Sequence, residues 1–288
     1  MTQRRPGKRT GMQLPPNDEP IRDTGELLFI GTATVLIRCL GFTVLTDPNF
    51  LHQGQHAKLG YGLRSRRLTE PAMSIEELPH VDLVVLSHHH GDHFDEVAAR
   101  GLDPDVPIVT TGHAARKLRR QGFRRPQELA TWETTTFERG NAVLEITAMP
   151  GRHAPVPLQP FMPPVMGSVL DFRAPGGRHH RTYITGDTLA IDDLARIPER
   201  YPDIDLMVLH LGGTRIAGVL LTMDAEQGMR ALHLVQPRHA VPVHYDDYTV
   251  FKSPLSAFRD AVAAAPPACD VHFLDRGERY EFPVTKAR

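Results

Sequence analysis

The chain is poor in cysteine. Only Cys39 and Cys269 occur in 288 residues, far apart and in no CxxC pattern. That excludes a disulfide framework and a thiolate metal cage, and it fits a reducing cytosol. A surplus of either charge is also missing: 33 Lys and Arg stand against 34 Asp and Glu, a formal net charge of −1. With nothing spare to neutralise a phosphate backbone, nucleic acid is not expected as a partner. No apolar run approaches the ~20 residues that span a bilayer. The opening "MTQRRPGKRTGMQLPPNDEP" is basic, then proline-rich, and lacks the apolar segment of a secretory signal. Residues 1–24 are therefore expected to form a disordered tail, and residues 25–288 a single domain without linker or repeat.

Within that domain the pattern alternates between strand and helix signals. "ELLFIGTATVLIRCLGFTVLTDP" reads as two or three strands with turns at Gly31 and at Leu40-Gly41. Residues 49–80 form a long polar stretch with no strand pattern, a length usually found in functional or disordered loops. Strand signals follow at 81–86, 106–111, 142–149, 168–174, 181–185, 204–210 and 239–244. Helix signals follow the first histidine cluster, residue 111, Asp187, Asp224 and Ser253. Runs of strands interleaved with about five helices predict a layered α/β or α+β domain.

The densest chemistry is "VVLSHHHGDHFD", residues 84–95, with four of the sixteen histidines and two aspartates directly after a buried-type strand. The same event recurs: a strand ends and His153, Asp187, His210 or His244 follows. Ends of neighbouring strands share one edge of a sheet, so these side chains can converge. Residues two apart in extended chain point the same way, so His88 and His90 can grip one ion. Asp92 and His93 would then serve a second ion nearby. Imidazole and carboxylate donors without thiolate suit zinc first, with manganese or iron as alternatives. Two such ions, ~3.5–4 Å apart, can share a bridging hydroxide as a nucleophile at neutral pH.

"SHHHGDHFD" resembles the H-x-H-x-D-H motif of the metallo-β-lactamase superfamily. "GRH" at His153, "TGDT" at Asp187 and "PVHYDDY" at His244 follow in that family's order. The resemblance runs from about Glu26 to Phe282. It implies an αββα sandwich with the metals on one edge. It also implies His88, His90 and His153 on the first metal, Asp92, His93 and His244 on the second, and Asp187 bridging. "TVLTDPNF" and "ELPHVDLVVLSHHHGDHFD" are similar to the branch that contains N-acyl-phosphatidylethanolamine-hydrolysing phospholipase D and L-ascorbate-6-phosphate lactonase.

The expectation is a dinuclear metal-dependent hydrolase with a metal-bridging hydroxide acting on a small ester, lactone or phosphodiester. Asp92 handles a proton, and His210 either donates to an oxyanion or leaving group or caps its strand. Tyr245 or Asp246 would orient the His244 imidazole, and Arg64, Arg66 and Arg67 would fork onto an anionic group. The 52–67 stretch and the five-proline segment "APVPLQPFMPPVMG" would form the substrate walls, favouring a small molecule with an apolar and an anionic part. Alternatives are a nuclease or iron-dependent oxygenase of the same superfamily, and a non-catalytic metal-binding module.

Overall fold

Thr24–Gly31, Thr34–Cys39 and Phe42–Thr46 form three consecutive strands where β-branched and apolar residues dominate. A tight turn joins the second to the third, with Leu40 and Gly41 both at positive φ (49° and 83°), the geometry that matches strand twist. These strands belong to a computed structural model that describes residues 10–17, 21–216 and 218–286. Among the described residues they lie in a seven-stranded sheet ordered Arg279–Pro283, Thr24–Gly31, Thr34–Cys39, Phe42–Thr46, Leu83–Val85, Ile108–Thr110, Pro126–Glu128. A nine-stranded sheet contains Thr134–Arg139, Ala142–Met149, Gly167–Ala174, Arg178–Ile184, Leu206–His210 and His239–Val243 in that order.

Each sheet combines a run of antiparallel pairs with a run of parallel ones. Phe42–Thr46 pairs Leu83–Val85 in parallel, and Arg178–Ile184, Leu206–His210 and His239–Val243 are parallel to one another. Parallel neighbours end on the same edge, so the residues that follow them are collected there. This register positions the site.

The two sheets bury their facing sides against each other. Leu27, Phe29, Val44 and Val85 meet Leu144, Phe172, Val208 and Val241. The outer face of the first sheet packs Val84 and Ile108 on Ala98 and Leu118 of helices Glu96–Gly101 and Gly112–Arg120. The outer face of the second packs Met207 and Leu209 on Ile197, Leu232 and Phe258 of helices Arg196–Arg200, Ala225–Val235 and Leu255–Ala264. The result is a four-layer αββα sandwich in one domain, as expected. Asp224 caps its helix as expected, accepting from the Gln227 amide at 3.1 Å.

Two expectations differ from the structure. The polar stretch 49–80 contains a hairpin, His56–Gly60 paired with Leu63–Arg66. Their buried positions are Ala57 and Ser65, too small and polar to announce a strand, and Tyr61 and Gly62 turn the chain at φ 50° and 77°. Within the expected tail, Thr10–Gln13 adds a parallel edge strand to Thr134–Arg139. Residues 1–9 and 18–20 of that tail lie outside the described residues.

One buried histidine away from the site sets a pH dependence. The His180 ring stacks on Phe282 at 4.0 Å, and burial pushes its pKa down to about 3. A hydrogen bond to the Pro283 backbone and the charge of Asp171 oppose that shift without cancelling it. Below the ordinary imidazole pKa the unfolded chain takes up this proton and the folded chain does not. The stability is therefore full above about pH 6.5 and is lost as pH falls toward about 3. Between about pH 6.5 and pH 5 the loss from this group should be roughly 2 kcal/mol. Urea unfolding at both pH values should show His180→Leu losing that much less than wild type; equal losses would refute the assignment.

Candidate metal centre

Leu83–Val85 ends at Leu86, and Ser87 then delivers the histidine cluster at the edge of the first sheet. His88 Nε2 lies 3.0 Å from His90 Nδ1, and His153 Nε2 lies 3.3 Å from the same atom. Three ring nitrogens from two segments thus point at one spot. The far nitrogens have partners: His88 Nδ1 lies 3.0 Å from Ser87 Oγ, and His153 Nδ1 lies 3.2 Å from the Leu221 carbonyl. A nitrogen held by a carbonyl carries the proton, which leaves the inward nitrogen a lone pair. Burial, with the neighbouring histidines, lowers the pKa of His88 well below its ordinary value and brings His90 to about 3. These rings are neutral near pH 7, the form that ligates.

Asp92, His93, Asp187 and His244, all buried, form a second group beside the first. His93 Nε2 lies 3.1 Å from Asp187 Oδ2, and His244 Nε2 lies 3.6 Å from Asp92 Oδ2. His244 Nδ1 faces the Leu211 carbonyl at 3.2 Å. Burial would raise the Asp187 carboxyl, but His244 and His93 beside it hold it well below the usual carboxylate range. Burial alone would lower His93; Asp187 and Asp47 outweigh it and raise its pKa. Asp92 Oδ1 is buried without a partner, and His93 Nε2, Asp187 Oδ1 and His244 Nε2 have only ion-pair contacts within the group and no well-directed hydrogen bond. Polar atoms so poorly satisfied in one pocket carry a desolvation cost that a cation would remove. The donor set is imidazole and carboxylate only, with Cys39 in the inter-sheet core. These residues have the chemistry to hold divalent metal.

The backbone around His244 is held in place by its neighbours. His244 sits at φ 63°, and its amide donates to the Thr32 carbonyl at 2.6 Å. A Cβ at Gly212 would stand 2.7 Å from the His244 carbonyl, so the "LGG" after His210 leaves room for the ligand loop. Gly91 serves in the same way: a Cβ there would lie 2.5 Å from the Lys58 amide nitrogen, where the hairpin docks.

Sequence reasoning missed Asp47, which follows Phe42–Thr46 and is fully buried. It accepts from the Ser87 amide at 2.8 Å and hydroxyl at 2.9 Å. Its other oxygen lies 3.5 Å from His93 Nδ1 and 3.3 Å from His210 Nε2. The signal was present, since Asp47 is one more polar residue at a strand end. His210 stacks on the His93 ring with centroids 6.0 Å apart, and its Nδ1 lies 3.2 Å from Thr185 Oγ1. Both ring nitrogens are therefore committed behind His93, and neither is free for a leaving group.

Neither Tyr245 nor Asp246 orients His244. The Tyr245 hydroxyl donates to the Leu274 carbonyl at 3.1 Å, and Asp246 accepts from the Leu255 amide at 3.1 Å. The next residue, Asp247, is the buttress: buried, it accepts from the Thr32 amide at 2.7 Å and from Arg276 at 2.9 Å. Arg67 is also buried, bound to Asn49 and to the Thr69 carbonyl. It cannot greet a substrate, and Arg64 and Arg66 sit exposed on the hairpin.

A cleft of about 820 Å³ opens beside His90. Both segments expected as walls line it: Lys58, Leu59 and Tyr61 of the hairpin, and Phe161 and Met162 of the proline-rich loop. The Tyr61 hydroxyl donates to the Phe161 carbonyl at 2.8 Å and ties the two together.

Comparison with known proteins follows the same lines. A model of the family "Beta-lactamase superfamily domain" matches residues 43–245. A UPF0173 metal-dependent hydrolase of Anaeromyxobacter sp. (strain K) is 26% identical over 270 residues, covering 91% of this chain and 88% of that one. N-acyl-phosphatidylethanolamine-hydrolyzing phospholipase D 1 of Caenorhabditis elegans is 23% identical over 271 residues, covering 88% of this chain and 74% of that one. The crystal structure of isothiocyanate hydrolase from Delia radicum gut bacteria superposes with a TM-score of 0.73 at 21% identity, covering 90% of this chain and 100% of that one. No helix among the described residues is long and apolar enough to cross a membrane.

Proposed function

The chain belongs to the β-lactamase superfamily, and from that premise we propose that it is a hydrolase using two divalent metal ions on a small ester, lactone or phosphodiester. The observation that carries this reading is the convergence of buried ligand atoms of Asp92, His93, Asp187 and His244, none with a well-directed hydrogen bond, beside the converging nitrogens of His88, His90 and His153. The names of the metal-dependent hydrolase and phospholipase relatives support hydrolysis, while a diiron β-hydroxylase from Streptomyces venezuelae shares the fold, so oxygenation is kept as a tested alternative.

His88, His90 and His153 would hold one ion, Asp92, His93 and His244 the other, and Asp187 both. Zinc is the first choice, and manganese and iron suit the same donors. Bound there, the ions would supply acidified water and a positive field for negative charge developing on a carbonyl or phosphoryl oxygen. The protein does the rest. Asp92 Oδ1, free of protein partners, accepts a proton and returns it to the leaving group. Asp47 fixes the His93 ring through Nδ1 and is itself steadied by Ser87 and His210.

Elemental analysis of metal-loaded protein freed of excess metal should find about two ions per chain, because seven donors exceed one tetrahedral shell. A reproducible value of one or zero would overturn the dinuclear reading. A panel of lactones, esters and phosphodiesters should show turnover abolished by chelation. Oxygen uptake without hydrolysis would favour an iron oxygenase, and metal binding without turnover would favour a non-catalytic module.

A further inference from the structure

Helix Gly112–Arg120 borders the cleft beside His90, and its inward face carries a row of polar residues. His113 and Lys117 are four residues apart and Gln121, the C-cap, is four further on, so one face presents all three to the cavity. Gln121 Oε1 lies 3.1 Å from His89 Nε2, which links the end of the row to the loop holding His88 and His90. Lys117 is half-buried and has no ion-pair partner among the described residues. His113 Nδ1 is buried without a hydrogen-bond partner. Glu96, the exposed carboxylate on this cleft, lies 4.0 Å from Arg100 and does not neutralise the row. Phe161 and Met162 form an apolar wall of the same cleft.

An unneutralised ammonium beside an unpartnered imidazole, facing an apolar wall, is an incomplete set of contacts. We propose that Lys117, with His113 and Gln121, binds the oxyanion of an amphiphilic substrate, a carboxylate or a phosphate, whose apolar part lies on Phe161 and Met162. This rests on the hydrolase reading for the reaction itself; the cradle only places the substrate. Burial and the neighbouring Lys117 lower the His113 pKa, so near pH 7 its ring offers an N–H donor to the anion rather than a second charge. Lys117 is a specificity residue in this scheme and takes no part in bond breaking.

The test compares two aryl esters of equal chain length, one ending in a methyl group and one in a carboxylate. Metal-loaded wild type should favour the carboxylate ester in kcat/KM, and Lys117→Met should lower that preference about tenfold, the scale of one charge-assisted hydrogen bond. Lys117→Arg should keep most of it, and Arg120→Met, an exposed cation on the same helix, should leave it intact. Calorimetric binding of octanoate and octyl phosphate to the same proteins gives a readout independent of turnover, and their ranking identifies the preferred oxyanion. If neither these esters nor the lactone and phosphodiester panel is hydrolysed but Lys117→Met still loses anion binding, the hydrolase reading falls and the cradle stands. If esters are hydrolysed and Lys117→Met changes neither preference nor binding, the cradle is wrong. Failure of both anions to bind wild type also overturns it.

Discussion

Asp187→Asn should cost at least about a thousandfold in kcat, with a fold that unfolds near the wild-type temperature. The carboxylate is buried, lies between His93 and His244, and has one oxygen without a hydrogen-bond partner. Its amide keeps the volume but removes the charge that both proposed ions need, so metal content should fall with activity. His88→Ala should weaken or lose the first ion, because His90, His153 and the shared Asp187 leave its site one protein ligand short. Asp92→Asn separates the roles further. It should keep the first ion and much of the structure while activity collapses, since the proton acceptor is gone. Elemental analysis beside kcat for the three variants reads this directly. Near-wild-type turnover in Asp92→Asn would remove Asp92 from the reaction, and full metal content in an inactive Asp187→Asn would confine that residue to chemistry.

The site was legible in the sequence because its residues sit where a strand ends. There the side-chain type reports chemistry and the parallel register does the gathering, as at His88, Asp187 and His244. What the sequence hid has physical reasons. The hairpin at 56–66 turns Ala57 and Ser65 inward, and residues so small and polar give no apolar alternation to mark a half-buried strand. Its turn places Tyr61, a residue that seldom adopts positive φ, ahead of Gly62. Asp47 stands before a proline and looks like a turn residue until the parallel pairing of its strand with Leu83–Val85 brings it to Ser87. Asp246 and Asp247 are neighbours of the same type, and only the positive φ of Asp246 turns the second carboxylate inward. Arg67 sits in a run of charge, yet packing over Tyr248 and bonding to Asn49 bury it completely. In each case a contact distant in sequence overrides the local signal.

Arg139→Met should be among the most destabilising single substitutions in the molecule, by about 3–5 kcal/mol. Arg139 ends the Thr134–Arg139 strand of one sheet, and its guanidinium pairs through both terminal nitrogens with Asp82 at the start of the other sheet's Leu83–Val85 strand. Both side chains are buried, at 7% and 2% exposure. Asp82 also accepts from the Thr43 amide at 2.8 Å, and Arg139 donates to the Pro15 carbonyl at 2.9 Å and lies over the Phe42 ring. The pair therefore fastens the two sheets at one end of the sandwich. Methionine fills the space of the arginine stem but leaves a buried carboxylate without its cation, which is the costly half of the change. Adding Asp82→Leu removes that charge as well, and the double variant should regain most of the loss, less the bond to Thr43. Asp82 lies at the N-terminal end of the strand whose C-terminal end delivers Ser87 and His88. Thermal unfolding should thus separate wild type, Arg139→Met and the double variant, while kcat/KM measured well below the transition stays the same for all three. A single variant as unstable as the double one would show that the arginine stem, not the charge pair, holds the sheets together.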